Sequence, residues 1–124
     1  MMIATAFYGL LLCAGVCAAA QDGAPPVIAC NLKAISAAER PRYNHLMKRL
    51  RLAVRYRSEL RDGYSFDLNG KAISLIEAAE WIGMERLCCP FLTLQLSASG
   101  NHADWILKLT GPPDVKALLE AEFP

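Results

Sequence analysis

Three cysteines in this chain stand where they could do chemistry: Cys30 in "VIACNL", and Cys88 with Cys89 in "MERLCCPFLTL". Thiolates are nucleophiles and ligands for soft metals, so the question is what each sulfur can reach. A bridge between the two neighbours is disfavoured. Disulfides usually hold their Cα atoms about 4.4–6.8 Å apart, whereas adjacent residues lie about 3.8 Å apart. Cys88 and Cys89 must therefore look elsewhere, and Cys30 meets one or the other if its segment lies beneath the helix that carries them. Glu85, three residues before Cys88 and four before Cys89, shares their helical face.

Nucleophilic catalysis fits this setting poorly. Thiolates are favoured at helix N-termini and beside cations, but this pair closes a helix at its negative end. Glu85 discourages the charged thiol further, Arg86 offsets it only in part, and the two histidines, His45 and His102, lie in other segments. No catalytic residue is assigned, and an enzyme is not expected. Soft-metal binding fits better, because a metal displaces the thiol proton outright. Cys30, Cys88 and Cys89, with Glu85 as a fourth donor or outer partner, suit Hg(II), Cu(I) or Zn(II) by ligand softness. The spacing lacks the C-x₂-C pairs of zinc sites. A second reading stands beside the first. Cysteine is among the most buried residue types, and one bridge from Cys30 plus one packed sulfur would make a disulfide-stabilised structural or protein-interaction domain without metal or catalysis.

The redox setting depends on the first residues. An apolar run from Ile3 to Val16 leads to Ala18-Ala19-Ala20 before Gln21, the pattern of a signal peptide with a small-residue cleavage site. Residues 1–20 are read as an export signal, 21–27 as a linker and 28–124 as one domain. No Lys or Arg precedes the apolar run. Cleavage removes Cys13 and Cys17, leaving three of the five cysteines for a periplasmic or secreted protein. The alternative is a start codon set too early before a cytoplasmic domain, in which the thiols stay reduced. Membrane contact is expected only if the segment is not cleaved. A net charge of +1 argues against a general nucleic-acid binder, although Arg40, Arg42, Lys48, Arg49, Arg51, Arg55, Arg57 and Arg61 crowd one stretch. That run reads as the solvated face of a helix.

The elements that must position the thiols follow from periodicity. "VIACNL" reads as a short strand, and "ISAAERPRYNHLMKRLRLAVRY" as a helix with a Ser36/Glu39 capping box and a stripe of Leu46, Leu50, Ala53 and Val54. Pro41 is tolerable there only in the first turn. After the Asp62-Gly63 turn, "YSFDL" alternates as a half-buried strand. A second capping box, Ser74 with Glu77, opens a helix that Pro90 ends near Cys88. "FLTLQLSA" and "WILKLT" form a hairpin, and a last helix follows Thr110-Gly111-Pro112-Pro113 with Val115, Leu118 and Leu119 inward. The order predicted is βαβαββα: an α+β two-layer sandwich with its helices mainly on one face of a small mixed sheet. Trp81, Trp105, Tyr64 and Phe91 read as core rather than as a ligand pocket.

"IACNL", "LRDGYSFDL", "AEWIGMERLCCPFLTLQL" and "ILKLTGPPDVKALLEAEF" together resemble a family of small single-domain bacterial proteins of no assigned activity. They also resemble domains appended to the C-terminus of some MerR-type metal-responsive regulators. The most specific part is Glu85-Arg86-Leu87-Cys88-Cys89-Pro90-Phe91, and Cys30 matches the family's strand cysteine. The resemblance implies a thiol-based metal or redox role. This chain differs in its export signal and in having no helix-turn-helix, so it implies no transcriptional role of its own. An unidentified protein partner fits either reading.

Overall fold

The computed structural model describes residues 28–124; the export-signal and linker readings lie outside the described residues. A short 3-10 turn, Leu32–Ala34, leads into α1 (Arg40–Ala53), β1 (Val54–Leu60), β2 (Gly63–Leu68), α2 (Leu75–Cys88), β3 (Thr93–Ala98), β4 (Trp105–Thr110) and α3 (Val115–Glu122). The four strands form one antiparallel sheet in the order β1-β2-β4-β3. Tyr64, Phe66 and Leu68 of β2 and Trp105, Leu107 and Leu109 of β4 are buried on one face, while Asp67, Ile106 and Lys108 are exposed on the other. The helices cover the buried face, and the domain is an α+β two-layer fold.

Among the described residues, three helices and four strands match expectation in number, but the first strand is elsewhere. "VIACNL" does not form one. Asn31 accepts a hydrogen bond from the Lys33 amide through its side chain and turns the chain into the 3-10 segment, an Asx turn that competes with extended structure. The missing strand is β1, taken from the end of the expected first helix. That helix stops at Ala53, where the β-branched Val54 begins a tight hairpin with β2. Gly63 is required at its turn, since a Cβ there would strike the Leu109 carbonyl. Because β1 joins β2 by a hairpin, the sheet is antiparallel throughout rather than mixed.

The helices lie where their caps and charges put them. Pro41 falls in the first turn of α1, whose N-cap is Glu39 without a side-chain cap bond. The expected Ser36/Glu39 pair does not cap the helix but closes the turn before it, the Ser36 hydroxyl accepting from the Glu39 amide. Ser74 and Glu77 form the full capping box of α2. Glu77 also meets Arg49 of α1, and Arg42 grips Glu80 through two hydrogen bonds of 2.9 and 2.7 Å. The backbone and side-chain bonds of Ser74 and the Arg49 guanidinium hold the Glu77 carboxyl down to about 2. Arg51 reaches Glu122 and Arg55 reaches Asp104. Much of the basic run thus ties α1 and β1 to the rest of the domain. Among the described residues, no helix is long and apolar enough to cross a membrane.

Candidate functional site: a cysteine cluster at the end of α2

Cys88 is the last residue of α2 and Cys89 caps it, with its N–H still donating to the Glu85 carbonyl at 2.8 Å. Pro90 follows and excludes another turn. The Cys88 carbonyl, left without a helical partner by this stop, accepts the Asn31 amide at 2.8 Å. That one hydrogen bond lays the Ile28–Asn31 segment over the helix end. It brings Cys30 to Cys89, and the two are joined as a disulfide with Cα atoms 4.7 Å apart.

The neighbouring sulfur goes the other way. Helical side chains lean back toward the N-terminus, so Cys88 points onto the preceding turn. Its Sγ lies 3.5 Å from Glu85 Oε2 and 3.6 Å from Cys89 Sγ, and it is fully buried. Tyr43 of α1 completes the cluster by donating its hydroxyl to Glu85 Oε2 at 2.7 Å. Glu85 is 5% exposed, the one charged residue in the core among the described residues. Burial pushes its carboxyl up from the usual range against the opposing pull of the Tyr43 and Cys88 hydrogen bonds. Burial and the Glu85 carboxylate push the Cys88 thiol up to about 11, and the Tyr43 phenol rises with them.

All four residues singled out in the sequence meet here. One ligand atom each from Cys30, Glu85, Cys88 and Cys89 lies within 4.8 Å of the others. His45 and His102 stay outside the cluster, on α1 and in the β3–β4 turn. Tyr43 is the one member of the cluster not singled out from the sequence. Its signal was there, since Tyr43, Leu46, Met47 and Leu50 recur at helical spacing and are all buried. The four aromatics proposed as core bear that role unevenly. Trp81 and Trp105 are buried, Tyr64 is buried with its hydroxyl on Glu120, and Phe91 packs at the margin.

Chemically the cluster holds one bridge, one protected thiol and one carboxyl that keeps its proton above the usual range. Tyr43→Phe is expected to cost about 1–3 kcal/mol, because Glu85 then loses its best-placed donor in a buried site. Chemical denaturation at pH 7 checks this; a neutral outcome would mean that Glu85 is satisfied otherwise. A second expectation concerns alkali. The Cys88 thiol, at about 11 in the fold against an ordinary 9.0, binds its proton more tightly when folded. Its contribution to stability is therefore complete below pH 9 and is lost as pH rises toward 11. A denaturant midpoint that falls over that window, and falls less in Cys88→Ala, is the expected result.

Comparison of the chain with family models, with curated proteins and with solved structures finds no match in any of the three. What defines the class of this protein is thus its own geometry: a small α+β module built around a cysteine cluster at one helix end.

Proposed function

We propose that this domain is a thiol module that holds a soft metal ion when reduced and closes to the Cys30–Cys89 bridge when oxidised. The observation that carries the reading is the convergence of three sulfurs and one carboxylate oxygen within 4.8 Å, three of the four residues being buried. Thiolates at a metal–sulfur distance of about 2.3 Å on a tetrahedron stand about 3.8 Å apart. The Cys88 and Cys89 sulfurs are 3.6 Å apart already. Cys30 has to withdraw from Cys89 by about 1.7 Å beyond a bond of about 2.05 Å. It sits in a segment outside the helices and the sheet, held by the Asn31 hydrogen bond, where such a shift disturbs no ladder. Three sulfurs select Hg(II), Cu(I) or Zn(II) over hard cations. The resemblance to domains of metal-responsive regulators points the same way.

A bridge between residues separated by 59 positions agrees with an oxidising compartment, and export to the periplasm or beyond belongs to this proposal. Competition against a chromophoric chelator tests it. The reduced protein is expected to take one Zn(II) or Hg(II) per chain, more tightly as pH rises because thiol protons are displaced. The oxidised protein should take none. Equal and weak uptake by both forms would sink the metal reading.

The second reading, a disulfide-stabilised structural domain, is favoured by the full burial of Cys88 and Cys89 and by the raised Cys88 thiol. It differs in one respect: reduction then weakens the fold and no metal restores it.

A further inference from the structure

Beside the bridge lies a surface groove of about 610 Å³ whose walls include Cys30, Leu32, Tyr43, Met47 and Arg51. Its size lies within the range of small-molecule sites. Cys30 is half-buried and lines it, whereas Cys88 and Cys89 have no exposed surface. Thiol–disulfide exchange requires the incoming sulfur to reach one sulfur of the bridge while the other leaves. Of the two bridged residues, among the described residues only Cys30 lines a space that a ligand can enter.

We propose that the groove admits a low-molecular-weight thiol, up to a tripeptide in size, and directs exchange to Cys30. This rests on the bridge being reversible in the folded protein. The external thiol loses its proton to solvent and its thiolate attacks Cys30 Sγ. A new sulfur–sulfur bond forms there, the Cys30–Cys89 bond breaks, and its electron pair leaves on Cys89. Cys89 then takes one proton from solvent, so the external thiol is oxidised and one protein sulfur is reduced. The departing sulfur is not isolated, since Cys88 Sγ lies 3.6 Å away as a hydrogen-bond partner. A second equivalent of thiol attacks the adduct, releases its disulfide and frees Cys30. All three thiols are then reduced and available to a metal. The walls favour a thiol with both apolar and polar parts, since Leu32, Met47 and Leu118 face the groove together with Asn44 and the Arg51–Glu122 ion pair.

The test uses the folded, oxidised protein and reduced glutathione at pH 8, with acid quenching at intervals, maleimide capture of freed thiols and peptide mapping. Glutathione is expected on Cys30 and maleimide on Cys89, with at least a tenfold preference over the reverse. Glutathione on Cys89 or Cys88, or an even distribution, overturns the inference and leaves the metal reading standing. A bridge that no concentration of glutathione opens short of unfolding overturns both. Should the adduct turn over too fast to accumulate, the rate of bridge opening decides. Ala29→Trp narrows the groove from an exposed position. It is expected to slow opening by glutathione at least fivefold with the unfolding midpoint unchanged, and an unchanged rate overturns the groove's role.

Discussion

Cys30→Ser is expected to lower the unfolding free energy of the oxidised protein by about 4 kcal/mol, the largest effect of any single change at the site. The bridge closes a loop across 59 positions, and loop-closure entropy for that length gives about 4 kcal/mol. Serine itself costs little at Cys30, which is half-buried and lies outside the helices and strands. The comparison with reductant separates the bridge from the side chain. Dithiothreitol should shift the denaturant midpoint of the unsubstituted protein by the same amount and leave Cys30→Ser where it is. A domain of this size has a stability of only about 5–15 kcal/mol, so the loss is a large share of the whole. A loss below about 1 kcal/mol would mean that the unfolded chain is not constrained by this bridge.

The second large effect concerns the sulfur that is not bridged. Cys88→Ala should weaken Zn(II) binding by the reduced protein about 100- to 1,000-fold. Structural zinc sites gain roughly 10–16 kcal/mol from four ligands, so one thiolate accounts for about 3–4 kcal/mol. Cys88 Sγ lies within 3.6 Å of both Cys89 Sγ and Glu85 Oε2. Its removal should cost the oxidised fold far less, about 1 kcal/mol for a small cavity, because Tyr43 and Glu85 keep each other satisfied. The two substitutions thus separate the roles: Cys30→Ser acts on stability and on metal, Cys88→Ala mainly on metal. A Cys88→Ala protein with undiminished affinity would place the metal elsewhere.

Much of this was legible because the local signals agreed with the fold. The Ser74/Glu77 box, the Cys-Pro stop, the alternation of Tyr64, Phe66 and Leu68 and the β3–β4 hairpin each form as their residues require. The strand β1 was illegible for a physical reason. Its positions opposite Phe66 and Tyr64 are Arg57 and Glu59, so no apolar alternation marks it. Those charges are used by the neighbours instead. Arg57 stacks 5.0 Å over the Tyr64 ring and donates to the Phe123 carbonyl, while Glu59 holds Lys116 of α3. Charged inward positions also guard an edge strand against pairing with another chain.

At the site, the four residues were readable from type and spacing, but not which cysteine bonds Cys30. That choice depends on how the Ile28–Asn31 segment crosses the helix end. The crossing is set by the Asn31 amide meeting the Cys88 carbonyl, a contact between residues far apart in sequence. Tyr43 needed the same tertiary knowledge. Its place on the buried stripe of α1 was readable, whereas the carboxyl waiting 2.7 Å from its hydroxyl was not.

The most direct measurement is the intact mass of the protein under native conditions, recorded oxidised and reduced, each with and without one equivalent of Hg(II) or Zn(II). The expected result is an oxidised protein two hydrogens lighter and free of metal, and a reduced protein carrying one ion with its three thiols protected from alkylation. A reduced protein that stays metal-free, with Cys88 still unreactive in the fold, would contradict the metal module. It would leave the Cys30–Cys89 bridge as a structural staple.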